Sequence, residues 1–258
     1  MTGVQPAADA TVTRDGFLGG RLRLWQPRDG YRAGIDPVLL AAAVRARPGQ
    51  SVLELGCGAG AAILCLAARV PGLRLCGLEV QARYADLARR NARDNGMELD
   101  VVVGDLASMP GVLKARQFDH VIANPPYLDR TASSPARDPG RDRALAGDTP
   151  LSAWVDAATR RLVPGGAAWF ILRADRLPEL LGAADARLGG ASVLPVVPRV
   201  GRVAKLVLVH AVKGARRPFR LLAPVVLHRG ARHAGDADDY RAAISRILRD
   251  AAPLEFPE

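Results

Sequence analysis

The sharpest chemical signal in the sequence is the tetrapeptide Asn124, Pro125, Pro126 and Tyr127, which follows a run of apolar residues. Pro125 keeps Asn124 out of the helical backbone region, and two consecutive prolines fix the direction of the chain. The side-chain oxygen of Asn124 and the main-chain oxygen of Pro125 then form two rigid acceptors suited to the hydrogens of one planar NH2 group. Tyr127 adds an aromatic face on which a base or an amide can stack. A turn that merely closed a strand would require neither the asparagine nor the aromatic ring.

A second candidate site is the segment 54–60, Glu-Leu-Gly-Cys-Gly-Ala-Gly, which joins an apolar run to a helical pattern. Glycines there allow backbone amides to approach a ligand at a helix N-terminus. By itself the segment is compatible with a dinucleotide, a sulfonium nucleoside or merely a tight turn. Glu79 ends the next apolar run, where an acidic residue accepts hydrogen bonds from ribose hydroxyls. Asp105 follows the third run, where it can accept from an adenine amino group.

Both sites lie at the ends of predicted strands, so the surrounding elements indicate how they come together. Apolar runs rich in β-branched residues predict buried strands at Ser51–Leu55, 73–79, 99–103 and Phe118–Ala123, and helical patterns at 61–70 and 81–95 separate the first three. Downstream, the sequence predicts a helix at 151–162, a turn at 164–166, a strand at 167–172, a helix near 175–188 and strands near 192–197 and 204–212. This alternation predicts an α/β fold, a doubly wound, mostly parallel Rossmann-like sheet of seven strands with an antiparallel last strand.

The domain organisation is predicted to be a short N-terminal extension, residues 1–48, followed by one main domain, residues 49–258. The extension contains a hairpin-like segment at 19–27 and an Ala/Leu-rich helix that begins near Asp36. Residues 129–150 form a long loop rich in Pro, Gly, Arg and Asp, and loops of that length in compact domains are usually functional or disordered. The sequence contains no internal repeat and no linker typical of a boundary between two domains.

Composition favours a folded, soluble and basic protein of the reducing cytoplasm. The 258 residues are 49% hydrophobic and 24% charged, with a formal net charge of +10. Three cysteines without a Cys-x-x-Cys pair, and four histidines without ligand spacing, predict neither a disulfide framework nor a metal site. The N-terminus lacks the apolar run of a signal peptide, and we expect no membrane-spanning segment.

Positive charge is concentrated between Asp185 and Asp236, a stretch with no acidic residue. A surface built from it would attract polyanions, with an affinity that falls as salt rises. A solvated arginine-rich face would have the same composition. The residues predicted to bind RNA are Arg199, Arg202, Lys205, Lys213, Arg216, Arg217 and Arg220.

The order of these motifs resembles the class I S-adenosylmethionine-dependent methyltransferases that methylate an exocyclic or amide nitrogen. The resemblance covers about residues 50–212. The flanking segments, Gly-Tyr-Arg-Ala-Gly-Ile-Asp at 30–36 and Leu-Ala-Pro-Val-Val-Leu-His at 222–228, are similar to the bacterial tRNA(Val) adenine-37 N6-methyltransferase family. Together these similarities account for nearly the whole chain.

The resemblance implies S-adenosyl-L-methionine as the cofactor and gives each motif a role. Glu54 would hold the amino-acid end of the cofactor, and Asp36 would lie in a segment that closes over its methionine part. The implied catalytic residues, which hold the target, are Asn124, Pro125, Pro126 and Tyr127. The implied cofactor-binding residues are Asp36, Glu54, Gly56, Cys57, Gly58, Gly60, Glu79, Asp105 and Asn124. This chemistry requires neither a metal nor a strong general base.

The favoured function is therefore methyl transfer to an exocyclic amino nitrogen of a nucleobase, adenine N6 in tRNA, with the base taken out of its stack. One alternative is the same chemistry on a glutamine side chain of a release factor or ribosomal protein. Guanine N2 of ribosomal RNA and adenine in DNA are further acceptors. Two other classes are a non-catalytic RNA-binding protein and an NAD-dependent oxidoreductase, and the latter gives no purpose to residues 124–127.

Overall fold

A computed structural model describes residues 11–126, 149–184, 187–230, 232 and 238–256. Tyr127 and almost all of the loop 129–150 lie outside the described residues. The strands are β1 Val12–Phe17, β2 Leu22–Pro27, β3 Ser51–Leu55, β4 Arg74–Glu79, β5 Asp100–Val103, β6 Phe118–Ala123, β7 Leu162–Arg173, β8 Leu188–Val197, β9 Leu206–Lys213, β10 Arg220–Leu221 and β11 Val225–Val226. The helices are α1 Asp36–Ala43, α2 Ala61–Arg69, α3 Ala82–Asp94, α4 Gly111–Lys114, α5 Leu151–Arg161, α6 Leu177–Ala183 and α7 Ala242–Asp250.

The central sheet has the strand order β10-β8-β9-β7-β6-β3-β4-β5, and β11 also pairs with β8. Strand β9 runs antiparallel to both of its neighbours, β7 and β8, whereas β3, β4, β5, β6 and β7 are parallel. The predicted α/β class and the antiparallel last strand of the seven are therefore confirmed. The short strands β10 and β11 extend the sheet beyond the predicted set.

Hydrophobic clusters cover both faces of the sheet, which explains why the residues of β3 are buried throughout. On one face, α1, α2 and α7 pack with Val52 and Trp169. On the other face, α5 and α6 pack with Leu53 and Phe170. Neighbouring residues of one strand thus belong to opposite clusters, as the pleat requires.

The N- and C-terminal segments pack on the same face of the sheet. Strands β1 and β2 form an antiparallel hairpin, and Leu22 and Leu24 of β2 belong to the cluster that contains α1 and α7. The Leu254 N–H donates to the Ala42 carbonyl at 2.9 Å, and Phe256 packs edge-on against Trp169. Helix α7 was not predicted from the sequence. Among the described residues, no helix has both the length and the apolar character that a membrane crossing requires.

Two local predictions were wrong. The turn predicted at Pro164, Gly165 and Gly166 lies inside β7, where the pairing with β6 shifts register between Phe118 and His120. The left-handed φ of 77° at Gly165 lets these turn-forming residues make a bulge in place of a chain reversal.

The helix predicted near 175–188 is also shorter than expected. A 3-10 turn at Ala174–Arg176 precedes α6, and β8 already begins at Leu188. Gly189 and Gly190, which lie between the predicted helix and the predicted strand, form a second bulge against β9, with a φ of 62° at Gly190. Glycine runs therefore marked bulges within strands as well as turns between elements.

Asn91 of α3 attaches the hairpin to the main sheet, and its side chain is fully buried. It accepts from the Trp25 N–H at 2.6 Å and donates to the carbonyls of Trp25 and Ala59 at 3.0 and 2.9 Å. We expect Asn91→Ala to lower the free energy of unfolding by about 2–3 kcal/mol, because buried backbone groups would lose their partners. Urea denaturation followed by circular dichroism measures this change.

Asn95→Ala provides the matched control for this prediction. Asn95 accepts from the Arg23 N–H at 3.1 Å and donates to the Arg23 carbonyl at 3.0 Å, and both bonds are exposed; its further bond to the Asn91 carbonyl, at 2.7 Å, lies within one turn of α3 and is part-buried. Water can replace the exposed bonds, so the expected loss is below about 1 kcal/mol. Equal losses in the two variants would contradict the assigned role of Asn91.

Candidate active site

A cavity of about 380 Å³ opens where β3, β4 and β6 end, at the carboxyl edge of the sheet. Its size suits a nucleoside-like ligand. Nine of the predicted site residues line it: Glu54, Gly56, Cys57, Gly58, Glu79, Asp105, Asn124, Pro125 and Pro126. Gly60 and Asp36 lie outside the set that lines the cavity, and Tyr127 lies outside the described residues. The N-terminal extension adds Gln26, Tyr31, Ala33 and Pro37 to the wall.

The first two glycines of the turn after β3 both have a left-handed backbone, and only the first is also packed against another residue. Gly56 has a φ of 62°, and a Cβ there would lie 2.6 Å from the indole ring of Trp154 on α5. Gly58 has a φ of 52° with no atom within 4 Å of a Cβ, so its backbone faces open space. Gly60, at a φ of 84°, precedes the first residue of α2. The turn is thus shaped by close packing at one end and left open for a ligand in the middle.

Glu79 connects the glycine turn to the start of α3. Its side chain is 5% exposed and accepts hydrogen bonds from the N–H groups of Gly58 and Gln81, both at 2.9 Å. Burial raises the pKa of Glu79, and the backbone donors limit this rise because they favour the ionised form. The carboxylate therefore fixes the position of the turn while it lies in the cavity wall.

Glu54 is a buried carboxyl at the base of the cavity. It is 3% exposed and accepts from the Ile63 N–H of α2 at 3.0 Å. Burial raises its pKa well above the usual value, and the neighbouring Glu79 raises it further against the effect of the Ile63 bond. A positively charged ligand group beside Glu54 would favour its ionised form. The buried carboxyl groups of Glu54 and Glu79 thus fit the cationic methionine part of the predicted cofactor.

Asn124 presents an acceptor that has no donor. Its Nδ2 donates to the Tyr31 hydroxyl at 3.3 Å, whereas its Oδ1 is buried and has no hydrogen-bond partner among the described residues. The Tyr31 N–H in turn donates to the Tyr84 hydroxyl of α3 at 2.8 Å. Burial raises the pKa of Tyr31, so its hydroxyl stays neutral. The side-chain amide is thereby oriented with a free oxygen in the wall of the cavity.

Asp105 and Asp36 are less closely integrated into the site. Asp105 is exposed at the rim of the cavity, and its Oδ1 accepts from the Ala107 N–H at 2.8 Å. Asp36 begins α1 and is half-buried, and burial raises its pKa to about 6. Its charge acts on Tyr31, which lines the cavity. Asp36 thus lies beside the wall.

Sequence reasoning missed three aromatic residues of the cavity: Tyr31, Tyr84 and Trp154. Tyr31 stands in the segment 30–36 that carried the resemblance, but no local pattern showed that its hydroxyl meets Asn124. Trp154 lies on α5, where its apolar spacing is typical of a core residue. The contact of Trp154 with Gly56 has no signal in the sequence because the two residues are far apart in the chain.

The sheet separates the predicted RNA-binding residues into two groups at opposite edges. Arg199, Arg202 and Lys205 lie between the end of β8 and the start of β9, at the carboxyl edge with the cavity. Lys213, Arg216 and Arg217 lie at and after the end of β9, at the amino edge, about 25 Å away by strand length. Arg220 begins β10 and donates to the Ser192 hydroxyl at 3.0 Å.

These residues also differ in how freely they can reach a ligand. The guanidinium of Arg199 is 11% exposed and pairs with Asp239. The ammonium of Lys213 donates to the Leu162 carbonyl at 2.7 Å. Arg202, Lys205, Arg216 and Arg217 are exposed. Exposed charge is therefore available at both edges, but only Arg202 and Lys205 share the edge of the cavity.

A parallel sheet with a reversed β9, a glycine turn after β3 and an acidic residue after β4 define the class I methyltransferase fold. Residues 34–181 match the family described as the methyltransferase small domain, and the chain belongs to this family. Membership confirms the predicted methyl transfer and S-adenosyl-L-methionine as the methyl donor.

Individual relatives differ in the acceptor named for them. The tRNA1(Val) (adenine(37)-N6)-methyltransferase of Porphyromonas gingivalis is 34% identical over 184 residues, which cover 67% of this chain and 71% of the relative. The release factor glutamine methyltransferase of Deinococcus radiodurans is 35% identical over 147 residues, 54% of this chain and 50% of the relative. A crystal structure described as a predicted O-methyltransferase from Agrobacterium tumefaciens aligns with a TM-score of 0.67 and 26% identity, covering 85% of this chain and 98% of that one.

The raised pKa of Asp36 predicts a pH-dependent stability difference. The value rises from 3.8 to about 6 on folding, so ionisation of Asp36 destabilises the folded protein as pH increases through this range. Asp36→Asn should therefore gain stability over the wild type between about pH 4 and pH 6, by at most about 3 kcal/mol, and keep the gain at higher pH. Urea unfolding of both proteins from about pH 3.5 to about pH 7, a range that spans both pKa values, tests this. A difference that does not change with pH would contradict it.

Proposed function

We propose that this protein transfers the methyl group of S-adenosyl-L-methionine to an exocyclic amino nitrogen of a nucleobase, with adenine N6 in tRNA as the favoured acceptor. The observation that carries the proposal is the buried Oδ1 of Asn124, an acceptor without a donor in the wall of the cavity. Buried polar atoms are nearly always paired, so this oxygen points to a ligand donor. An amino group supplies such a donor.

The cavity divides into a cofactor side and an acceptor side in this proposal. Glu79 would accept from the ribose hydroxyls, Asp105 from the adenine amino group, and Glu54 would face the amino-acid end of the cofactor. The open backbone at Gly58 leaves room for close approach of the cofactor. S-adenosyl-L-methionine supplies a methyl group activated by the sulfonium that carries it.

The acceptor nitrogen lies between Asn124 and Pro125 in this mechanism. An exocyclic nitrogen is a poor nucleophile because its lone pair is delocalised into the ring. Acceptors at the Asn124 Oδ1 and the Pro125 carbonyl favour the pyramidal, more nucleophilic form, and they bind it more strongly as positive charge develops. The nitrogen bonds to the methyl carbon as the carbon–sulfur bond breaks, and its extra proton then passes to water. In-line positioning supplies the remaining rate enhancement.

The N-terminal extension, residues 1–48, is proposed to close the cofactor side of the cavity. Four of its residues line the wall, and Tyr31 contacts both α3 and Asn124. The extension also shares a hydrophobic cluster with α2 of the main domain. Cofactor and acceptor would thus be enclosed by the same segment.

An RNA acceptor is supported by the tRNA-modifying relative and by the basic residues at the carboxyl edge. The β8–β9 loop lies roughly 10–14 Å from the end of β6 at about 4.8 Å per strand, since β7 separates β6 from β9, and β7 and β9 separate it from β8. Arg202 and Lys205 on this loop would contact the phosphates on either side of the flipped base. A tRNA substrate also implies work in the cytoplasm.

A glutamine side chain is the second candidate acceptor, supported by the release factor relative. Its amide NH2 has the planar shape that the same two acceptors would hold. The chain spans half of that relative's length, and residues 11–48 here form a hairpin and one helix. The match with the release factor relative is shorter than the match with the tRNA-modifying relative, which favours a nucleobase as the acceptor. The following experiment distinguishes the two acceptors.

Radiolabelled methyl transfer from S-adenosyl-L-methionine into unmodified total tRNA, total rRNA and total protein tests the proposal. We expect label in tRNA, recovered as N6-methyladenosine by nucleoside analysis. Asn124→Ala should lower the rate by at least about 100-fold, because it removes one of the acceptors that act in the transition state. Its affinity for S-adenosylhomocysteine should stay within about twofold of the wild type, since most cofactor contacts remain.

Glu79→Ala is the reciprocal variant for that experiment. It should weaken S-adenosylhomocysteine binding about tenfold or more, since Glu79 holds the glycine turn and faces the ribose. Isothermal titration calorimetry measures both affinities. Full activity in Asn124→Ala would refute the role of Asn124 in holding the acceptor nitrogen. Label recovered as methylglutamine, or in rRNA, would identify protein or rRNA as the acceptor in place of tRNA.

The contribution of each edge of the sheet to tRNA binding can be tested with double variants that remove the same charge. Arg202→Gln with Lys205→Gln should weaken tRNA binding and lower the slope of log affinity against log salt by roughly 1–2, because two phosphate contacts are lost. Arg216→Gln with Arg217→Gln removes the same charge at the amino edge and should have a smaller effect. Fluorescence anisotropy titrations between about 50 and about 200 mM salt, where affinity depends strongly on the number of phosphate contacts, measure both slopes. A larger loss in the second variant would place the RNA at the amino edge.

A further inference from the structure

The Asn-Pro-Pro turn, residues 124–126, has few groups that can form hydrogen bonds to the rest of the fold. Pro125 and Pro126 have no N–H group, so the Asn124 N–H is the one backbone donor within residues 124–126. The other groups of these residues that can form hydrogen bonds are the carbonyl oxygens and the Asn124 side chain. Residues elsewhere in the chain must therefore supply the donors.

Arg176 supplies such a donor. It ends the 3-10 turn Ala174–Arg176 that follows β7, and its side chain is 20% exposed. The Nη1 group donates to the Pro126 carbonyl at 2.7 Å. The far end of the Asn-Pro-Pro turn is thus held by a residue 50 positions later in the chain.

Glu179 of α6 holds the guanidinium in place. The Nε and Nη2 groups of Arg176 donate to both carboxylate oxygens of Glu179, at distances from 2.8 to 3.0 Å. Such a bidentate pair fixes the plane of the guanidinium as well as its charge. The third donor group of Arg176 is therefore aimed at Pro126 with little rotational freedom.

The same carboxylate also contacts the helix that forms another part of the cavity wall. The Leu151 N–H, at the first residue of α5, donates to Glu179 Oε1 at 3.1 Å. Helix α5 carries Trp154, whose ring packs on Gly56 of the glycine turn. Arg176 and Glu179 thus join the acceptor side of the cavity at Pro126 to the cofactor side through α5.

We propose that Arg176 and Glu179 are positioning residues for methyl transfer, which set the geometry of Asn124 and Pro125 relative to the cofactor side of the cavity. This inference rests on the proposed function. Neither residue lines the cavity among the described residues. Their effect acts through the Pro126 carbonyl and the Leu151 N–H, so it should appear in the rate of the chemical step and leave cofactor affinity unchanged.

A neighbouring ion pair offers a matched control. Arg173 donates to both carboxylate oxygens of Asp175, with Nε distances of 3.0 and 3.2 Å. This pair lies within three residues of Arg176, but its side chains are 47% and 59% exposed, and in the described part of the chain it forms no hydrogen bond with the Asn-Pro-Pro turn. Replacing each arginine by lysine keeps the net charge and removes the planar guanidinium. The comparison therefore tests the contact of the Arg176 guanidinium with the Pro126 carbonyl, which Arg173 does not make.

Single-turnover methyl transfer is measured for Arg176→Lys, Glu179→Gln and Arg173→Lys, with the acceptor that labels in the wild type, whether tRNA, rRNA or protein. Arg176→Lys should lower the rate about 10- to 100-fold, because a displacement of the reacting groups by about 1 Å costs up to about 100-fold. Glu179→Gln should give a smaller loss in the same direction, since the amide keeps one acceptor for Leu151. Affinity for S-adenosylhomocysteine and melting temperature should match those of Arg173→Lys, which should retain the wild-type rate.

Hydrogen–deuterium exchange of the peptide that begins α5 gives a readout independent of the acceptor. Exchange at this helix start should become faster in Arg176→Lys, because Glu179 loses the guanidinium that fixes it. The increase should be smaller in Glu179→Gln, which keeps an acceptor for the Leu151 N–H, and exchange should stay unchanged in Arg173→Lys. Wild-type rate and exchange in Arg176→Lys would overturn the positioning role. A rate loss equal to that of Arg173→Lys, or one explained by weaker cofactor binding, would overturn it as well. If the wild type transfers label to protein or rRNA, the proposal of a tRNA acceptor is refuted. The variants can still be compared with that acceptor, so the positioning role is tested separately.

Discussion

Parallel strands end at one edge of their sheet, and this constraint brings together chemical groups that are far apart in the sequence. Glu54, Glu79 and Asn124 stand at or beside the ends of β3, β4 and β6, so they face one cavity. The antiparallel strand β9 adds the β8–β9 loop to the same edge and takes the following basic residues to the other. The predicted site residues that line the cavity and one pair of exposed cations therefore share a single edge because of strand direction.

The cavity wall contains several buried acceptors, the carboxyl groups of Glu54 and Glu79 and the side-chain oxygen of Asn124. Two of its carboxyl groups have raised pKa values because they are removed from water, and the Asn124 Oδ1 has no partner among the described residues. Unpaired buried acceptors lower stability, and a ligand that brings positive charge and N–H groups restores their partners. The protein thus holds its acceptors in a fixed arrangement before the ligand arrives, which is the physical basis of transition-state stabilisation by preorganised groups.

The Asn-Pro-Pro turn is rigid in its own backbone but has few means of attachment to the rest of the fold. Tyr31 from the N-terminal extension holds the Asn124 amide, and Arg176 from the segment after β7 holds the Pro126 carbonyl. Each of these residues is fixed by a further partner, Tyr84 or Glu179. The turn is therefore positioned from two sides by elements that also form the cofactor side, which couples the geometry of the two halves of the cavity.

Local rules were sufficient for the elements and for the motifs at their ends. Apolar periodicity and glycine or proline restrictions predicted the strands from Ser51 to Ala123, the glycine turn and the Asn-Pro-Pro turn, because each depends on neighbouring residues. Only the tertiary structure decided that Tyr31 and Arg176 contact the turn, that Gly165 forms a bulge, that Asp36 lies beside the wall, and that Arg202 and Arg216 occupy opposite edges. These facts depend on strand order, direction and packing between distant residues, which no local pattern encodes.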